Sequence, residues 1–421
     1  MSRATRLAGC NLPTSRRPPE GGHRGPLSWP SRYAAALGAC AVLSLLSGPA
    51  ALAADTDAFP RPPELEADIR FWTRVFTEVD TAGGFIHDNR RLDVVYEVVR
   101  LDPGTTSADQ SEEAGRVVER YRTALLALAD GKRQDLNEAE ERALGLWAPD
   151  SSEQTLREAA NRVRFQRGQA DKFRAGYERS GRWRPHILET FRAMGLPTEL
   201  AALPHVESSY NPAARSHAGA AGLWQFTRST GAQYLRIDRR VDERLNPFKA
   251  SEAAARLLRR NYEVTGSWPL ALTAYNHGAG GVVRAVRQMG TDDIVTLVRR
   301  YDGPAFGFAS RNFYVSFLAA LDVERQAHAY FGPLYRLDPE PPDAVATPRP
   351  PSDRDLARLE APSAKGPRAS RRQHRVRRGE TLSDIAARYG VSHRQLMALN
   401  GLRRADRVQA GQVLRVPARD S

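Results

Sequence analysis

The stretch LPTELAALPHVESSYNPAARSHAGAAGLWQF, from Leu196 to Phe226, decides how the rest of the chain is interpreted. Proline suits the first turn of a helix, and Pro197 is followed by an acidic residue that favours the positive end of the helix dipole. Apolar residues then recur at helical spacing, until Asn211-Pro212 prevents the helix from continuing. These features predict a short, partly buried helix that ends near the carboxylate of Glu207.

The neighbours of Glu207 decide between two interpretations of this carboxylate. A glutamate near a helix end is most often a solvated surface residue. Here, however, three hydroxyl-bearing residues follow directly at positions 208–210, and a glycine-rich turn carrying Trp224 and Gln225 comes soon afterwards. This concentration of polar and aromatic groups favours a functional carboxylate at the edge of a cavity.

Three blocks in order along the chain resemble the lysozyme-like lytic transglycosylases of bacterial cell walls, close to the membrane-bound murein transglycosylase D group. The blocks are Glu207-Ser208-Ser209, residues 216–226 (SHAGAAGLWQF) and Ala274-Tyr275-Asn276. The resemblance implies a mainly α fold with a goose-type, soluble-transglycosylase-like catalytic domain. This sequence departs from the family pattern in residues 308–315 (FASRNFYV), which lack the glutamate that many relatives carry ahead of a Tyr-Val pair.

The resemblance also implies roles for individual residues. Glu207 would be the catalytic acid, and the substrate would be contacted by Ser208, Ser216, Trp224, Gln225, Tyr275, Asn276 and Tyr314. Ser216 and Gln225 would hydrogen-bond acetamido groups, and Tyr275 would steady the glutamate or the reaction intermediate. Structural alternatives stay open: Trp224, Tyr275 and Tyr314 as core residues, and Gln225 as a hydrogen bond that fixes the loop. No metal or cofactor is implied.

The number of carboxylates bears on the chemistry. Glycoside cleavage normally uses two of them, but only Glu207 has a convincing position, because Asp238, Asp242 and Glu243 lie in a charged run that is typical of a solvated loop. The family resemblance implies that one acid suffices: the 2-acetamido group of the muramyl sugar attacks the anomeric carbon, and a 1,6-anhydromuramyl end forms. A proton donor needs a pKa raised by apolar neighbours, which Trp224 or Tyr275 would supply.

Charge is concentrated at the two ends of the 421-residue chain. The formal net charge is +13. Residues 1–53 carry six arginines and one acidic residue, residues 365–421 carry fourteen basic and four acidic residues, and the remainder is near −2. A basic tail is compatible with nucleic acid, a membrane surface or an anionic wall polymer, so the charge alone does not select a partner.

Residues 1–53 have the features of an export signal. Arginines lead into a short apolar run, and Ala51-Leu52-Ala53 fits a small-residue cleavage site. Both cysteines, Cys10 and Cys40, precede that site, so the mature chain would have neither a disulfide nor thiol chemistry. The prediction is an exported protein of the periplasm or cell envelope. Lipid attachment at Cys40, or a signal that is not cleaved, would add membrane association.

Residues 54–184 are predicted to form a helical N-terminal region. Apolar residues recur at helical spacing around Trp72, in the series Val94, Val95 and Val98, and near Tyr121. The stretch 162–177 mixes basic and aromatic residues, but a helix that packs against the catalytic domain (residues 185–336) is favoured over nucleic-acid contact. The region would support that domain and lengthen its cleft.

The C-terminal part divides into a linker and a small domain. Residues 337–373 are rich in proline and arginine with little apolar periodicity, which predicts an extended linker. Residues 374–418 predict a strand, two helices and a strand. This βααβ order resembles the LysM module, which binds glycans containing N-acetylglucosamine.

The two resemblances together predict a peptidoglycan lytic transglycosylase that is held on the wall by its LysM module. Its partners would be glycan strands of N-acetylglucosamine and N-acetylmuramic acid, without nucleic acid. Two alternatives remain: a muramidase that adds water, and a catalytically inactive scaffold that binds the cell wall.

Overall fold

The computed structural model describes residues 58–344 without 217 and 304, and also residues 371–376, 382, 385–386, 393–400 and 411–417. The predicted export signal, both cysteines and most of the predicted linker lie outside these residues. Within the described ranges, every helix is too short or too polar to cross a membrane.

The N-terminal region combines helices with a three-stranded sheet. Its elements are α1 (Glu66–Thr77), β1 (Gly83–Asp88), β2 (Val95–Arg100), α2 (Ser107–Ala129), α3 (Glu138–Leu146), α4 (Glu153–Arg162) and β3 (Val163–Arg167). The strands are antiparallel in the order β2-β1-β3. Capping boxes at Thr106 and Asn137 start α2 and α3, so sequence determines where these helices begin.

Two helical predictions in this region are wrong. Val95 and Val98 belong to β2, where β-branched side chains are favoured because they fit a pleated, partly buried surface. The stretch 162–177 is not one helix either, because β3 occupies residues 163–167 before the next helix begins at Ala170. The spacing of the valine and aromatic residues fits a helix, but the backbone forms strands at these positions.

The sheet separates two hydrophobic cores. Phe85 and Ile86 are successive residues of β1 and therefore point to opposite faces of the sheet. Phe85 belongs to the large core, which also contains α1 and residues of helices that follow residue 170. Ile86 packs with α2, α3 and α4. The N-terminal region thus contributes α1 to the larger core and builds a smaller core of its own.

Nine α-helices follow β3 in the described residues up to 344. They are α5 (Ala170–Ala193), α6 (Leu203–Ser208), α7 (Arg228–Gly231), α8 (Pro247–Thr265), α9 (Trp268–His277), α10 (Ala279–Met289), α11 (Ile294–Arg300), α12 (Phe308–Arg325) and α13 (Ala327–Phe331). The prediction of a mainly α fold is confirmed. Helix α12 is buried along most of its length and packs against α1, α6 and α9. It is the central support of the domain.

The structure does not follow two of the predicted segment boundaries. The boundary between residues 184 and 185 falls inside α5, which is continuous and contains Pro185. The start of the predicted linker is also ordered: the Leu337 and Glu340 amides donate to the Glu178 and Arg182 carbonyls at 2.8 and 3.0 Å. Residues 337–340 therefore run along α5.

The C-terminal residues form a separate small unit. Strands β4 (Arg371–Arg375) and β5 (Val413–Pro417) pair in antiparallel fashion, with α14 (His393–Asn400) between them in sequence. Residues 382, 385 and 386 are helical, where the first of the two predicted helices was expected. Their side chains pack with Val376, Leu396, Leu414 and Val416.

Candidate active site

Helix α6 is held from behind by buried aromatic contacts. The ring of His205 is fully enclosed and stacks on Phe173, with 4.4 Å between ring centroids. Burial lowers the pKa of His205 to about 4, so the ring is neutral and behaves as part of the core. The chain then turns sharply because Ser209 and Tyr210 both adopt left-handed backbone conformations. The Tyr210 hydroxyl donates to the carbonyl of Ala201, which fixes this turn.

Glu207 lies next to the last residue of α6 and is half-buried. Burial raises the pKa of Glu207 to about 8, and no neighbouring charge in the described residues contributes to the shift. No hydrogen bond or ion pair from those residues engages the carboxylate either. A carboxyl group that is partly accessible yet poorly solvated stays protonated at neutral pH, which is what proton donation to a substrate requires.

Ser208 connects the end of α6 to the glycine-rich loop. Its hydroxyl donates to the Leu223 carbonyl at 2.7 Å and accepts from the Asn211 amide at 3.2 Å. The predicted sugar-binding hydroxyl is therefore engaged with the backbone on both sides. It fixes the position of the loop relative to Glu207.

Ser216 and Gln225 lie in the same loop. The Gln225 side-chain amide donates to the carbonyls of Gly222 and Ala214 at 2.9 and 3.2 Å, which is the loop-fixing contact that the sequence left open. Ser216 is exposed, and its hydroxyl accepts from the Ala220 amide at 3.0 Å. Both side chains shape the loop, and Ser216 also presents an exposed surface.

Tyr275 and Asn276 come from the end of α9. The Tyr275 hydroxyl donates to the carbonyl of Trp224 at 2.8 Å, so this side chain joins α9 to the loop. Its pKa is raised well above the ordinary value by burial and by the nearby Glu207 carboxylate, which places the phenol close to the proposed acid. Asn276 is exposed, and its side-chain oxygen accepts from the Ser310 hydroxyl at 2.8 Å.

Trp224 and Tyr314 are fully buried, which favours the core alternative for both side chains. The indole of Trp224 donates to the Ser251 hydroxyl at 2.9 Å and anchors the loop in the core. The hydroxyl of Tyr314 donates to the carbonyl of Pro60 at 2.7 Å, in the segment before α1.

One contributor to the site, the Asp242–Arg244 pair, was not predicted from sequence. Both side chains are buried, and Arg244 makes two hydrogen bonds to the carboxylate of Asp242, at 2.8 and 2.9 Å. Burial opposes ionisation of Asp242, but the hydrogen bond and charge of Arg244 outweigh it and lower the pKa. Arg244 also donates to the carbonyls of Gly219 and Phe226 at 3.0 and 3.1 Å. The prediction of a solvated loop is therefore wrong at these positions.

The other acidic residues of this run have partners away from Glu207. The pKa of Asp238 is lowered to about 2 by the Arg240 amide, the Arg236 side chain and the Val241 amide. Glu243 accepts from the Arg236 amide at 2.7 Å. The described residues also contain no cluster of His, Cys, Asp or Glu that could hold a metal ion.

Comparison with known families places the site inside a recognised domain. The model described as "Transglycosylase SLT domain" matches residues 189–298, which include Glu207, the glycine-rich loop and Tyr275. The model described as "LysM domain" matches residues 374–417. The chain therefore contains an SLT transglycosylase domain and a LysM domain, and both sequence resemblances are confirmed.

Individual relatives match part of the chain. It is 42% identical over 94 residues to the membrane-bound lytic murein transglycosylase D of Escherichia coli K12, covering 22% of this chain and 21% of the relative. The chain thus spans about a fifth of the length of that curated relative. The 70 kDa soluble lytic transglycosylase of E. coli is 18% identical, with a TM-score of 0.31 over 52% of this chain and 45% of that one. A lytic transglycosylase of Pseudomonas aeruginosa is 17% identical, with a TM-score of 0.30 over 53% and 38%.

The close approach of Arg244 to the loop predicts different costs for two alanine substitutions. Gly219 and Gly222 both have left-handed backbones, with φ of 80° and 83°. A Cβ atom at Gly222 would lie 1.7 Å from the Arg244 carbonyl oxygen, whereas nothing lies within 4 Å at Gly219. We expect Gly219→Ala to lower the free energy of unfolding by about 1 kcal/mol through backbone strain alone. Gly222→Ala should cost at least about 3 kcal/mol.

Urea denaturation followed by tryptophan fluorescence measures both values, and Gly219→Ala is the control for backbone strain. Equal losses in the two variants would show that the contact with Arg244 does not constrain the loop.

Proposed function

We propose that this chain is a peptidoglycan lytic transglycosylase that cleaves the β-1,4 bond between N-acetylmuramic acid and N-acetylglucosamine. The observation that carries the proposal is Glu207, a half-buried carboxyl group whose pKa of about 8 keeps it protonated at neutral pH. The match to the SLT transglycosylase domain across this residue supports the same conclusion. In the described residues, no neighbouring charged group contributes to the raised pKa of Glu207.

The reaction follows from a single acid that acts twice. The Glu207 carboxyl group gives its proton to the glycosidic oxygen as the bond from that oxygen to C1 breaks. The carbonyl oxygen of the muramyl 2-acetamido group bonds to C1 and forms an oxazolinium intermediate. The Glu207 carboxylate then removes the proton of the C6 hydroxyl, whose oxygen bonds to C1 as the acetamido oxygen leaves. The product is a 1,6-anhydromuramyl end, no water is consumed, and Glu207 is again protonated.

The surrounding residues take supporting roles in this proposal. Tyr275 keeps its hydroxyl hydrogen-bonded to the Trp224 carbonyl and stays neutral, because burial and the nearby Glu207 carboxylate raise its pKa. Ser216 and Asn276, which are exposed, are the side chains we assign to sugar contacts. Ser208 and Gln225 act mainly by fixing the loop against α6.

The two ends of the chain support a proposal for where in the cell the protein acts. Residues 1–53 would direct export, residues 185–336 would form the catalytic domain with support from residues 54–184, and residues 374–418 would bind glycan. A binding module on the same chain raises the local concentration of the catalytic domain near its polymer. We therefore place the protein in the periplasm or cell envelope.

Replacing the proton donor gives the first test of activity. Glu207→Gln keeps the size of the side chain but cannot donate the proton, so we expect turnover of purified sacculi to fall at least about a hundredfold. Mass spectrometry of the products should show 1,6-anhydromuramyl ends for the wild type. Reducing ends would identify a hydrolytic muramidase, and intact glycan an inactive scaffold. Undiminished release by Glu207→Gln would remove this residue from the mechanism.

The raised pKa of Glu207 predicts a defined pH dependence. Because the protonated form is the donor, kcat/KM should fall about tenfold per pH unit as the pH rises above about 8. Glu207 also makes the folding free energy depend on pH in the same direction as the activity. Its contribution to stability is complete below the unfolded-state pKa near 4.5 and is lost as the pH rises through about 8. The Tm of Glu207→Gln relative to wild type should therefore increase between pH 5 and 9. A constant difference in Tm would contradict a raised pKa.

Removal of the LysM domain separates binding from chemistry. Deleting residues 374–421 should weaken co-sedimentation with sacculi, because the second attachment point is lost. Turnover of short soluble glycan fragments should stay within about twofold, because such fragments do not reach both domains. Equal co-sedimentation of the two proteins would contradict the role of a tether.

A further inference from the structure

A cavity of about 520 Å³ lies between α5, the loop that follows Tyr210 and the ordered segment at residues 337–340. Its apolar lining includes Trp183, Pro212 and Leu245. Three arginines, Arg179, Arg182 and Arg215, also line it, against one acidic residue, Glu340. We name it the α5 cavity. Its volume is in the range of pockets that hold small ligands.

Two of the three arginines lack a carboxylate partner. Arg182 forms an ion pair with Glu340 at 2.9 Å. Arg179 donates from one terminal nitrogen to the Ser209 carbonyl at 2.7 Å, while its Nε is buried without a hydrogen-bond partner. Burial lowers the pKa of Arg179, and the neighbouring charge of Glu178 offsets this effect only in part. Arg215 is exposed, and no described residue forms an ion pair or hydrogen bond with its side chain. The charges of Glu178 and Asp242 act on Arg179 and Arg215 respectively, but neither carboxylate forms an ion pair with them. The cavity therefore presents two guanidinium groups, next to an apolar surface, that no carboxylate of the described residues engages directly.

The α5 cavity shares its loop with the candidate active site. The lining residues Pro212 and Arg215 follow Glu207 in the chain, and the Ala214 carbonyl between them accepts from the Gln225 side chain. Pro212 is five positions after Glu207 in the chain, so their Cα atoms are at most about 18 Å apart. An extended peptide of four or five residues spans about 13 to 18 Å. A peptide attached to a sugar near Glu207 is therefore long enough to reach the cavity.

We propose that the α5 cavity binds the peptide stem that is attached to muramic acid, an inference that rests on the proposed function. Stem peptides combine free carboxylates with small apolar side chains. The carboxylates match Arg179 and Arg215, because guanidinium groups bind carboxylates with two parallel hydrogen bonds. The methyl groups match the surface formed by Trp183, Pro212 and Leu245. Stem-bearing strands would then be preferred over bare glycan.

A binding experiment tests the cavity independently of turnover. The probe is a synthetic tetrapeptide stem without sugar, titrated by calorimetry into the full-length Glu207→Gln protein. We expect Arg215→Gln to weaken binding at least about tenfold, since a hydrogen-bonded charge pair is lost. Arg239→Gln is the matched control, because it removes the same charge from another exposed arginine that does not line the cavity. It should bind as the parent protein does.

The peptide offers a second, independent change. Converting its carboxylates to carboxamides should weaken binding to the parent protein by about as much as Arg215→Gln does. If Arg215→Gln and the carboxamide peptide bind unchanged, or if inorganic phosphate binds as well as the stem peptide, the inference is overturned.

Turnover separates this inference from the proposed function. With wild-type protein, KM should be lower for stem-bearing strands than for strands from which an amidase has removed the stems. In Arg215→Gln the ratio of the two KM values should approach one, whereas Arg239→Gln should keep the wild-type ratio. Loss of cleavage on every substrate, combined with peptide binding that depends on Arg215, would overturn the proposed function and leave the peptide site supported. An unchanged ratio in Arg215→Gln would overturn the peptide site alone.

Discussion

The proposed reaction depends on packing that keeps one carboxyl group poorly solvated while leaving it partly accessible. Glu207 is half-buried, and burial is what raises its pKa. The short helix that carries Glu207 cannot achieve this alone, because a helix of six residues is not stable in water. It is held instead by the ring of His205 in the core behind it, and by the turn at Tyr210 that closes on Ala201. The raised pKa of Glu207 is therefore a property of the packing around it.

The loop in front of the acid is fixed by a set of hydrogen bonds to its backbone carbonyls. Ser208 and Tyr275 reach the carbonyls of Leu223 and Trp224, and Arg244 reaches two further carbonyls. Arg244 is itself held by a buried ion pair with Asp242. Such a pair adds little net stability, because desolvation offsets the attraction, but removing one partner leaves an unpaired buried charge. Its value here is positional: it maintains one loop conformation next to a carboxyl group that must not be hydrated.

Local sequence signals predicted the acid and most helices, but not the contacts that complete the site. Pro197 caps the 3-10 helix Thr198–Ala202 that leads into α6, and Asn211-Pro212 follows the end of α6. These signals act within a few residues. Asp242 was interpreted as part of a solvated loop, and its partner Arg244 gave no local signal, because the carbonyls that Arg244 reaches lie 18 and 25 residues earlier in the chain. Tyr314 was assigned to the cleft by the family resemblance, and its hydrogen-bond partner, the Pro60 carbonyl, lies 254 residues away, where no local signal points to it. The strand at Val95 was missed because valine spacing fits a helix as well, and only the neighbouring strands decide between them.

The position of β1 between two cores has a consequence for biosynthesis. The smaller core draws its residues from Ile86 to Ala160, so it can close while the rest of the chain is still being made. Helix α1 precedes it in sequence but packs on α12, with Trp72 donating to Asn312 at 3.4 Å and Arg299 pairing with Asp68 at 2.7 Å. The apolar face of α1 therefore stays uncovered in the nascent chain until α12 has been synthesised. Contacts this distant along the chain form slowly, and until they form they leave an apolar surface that is prone to aggregation.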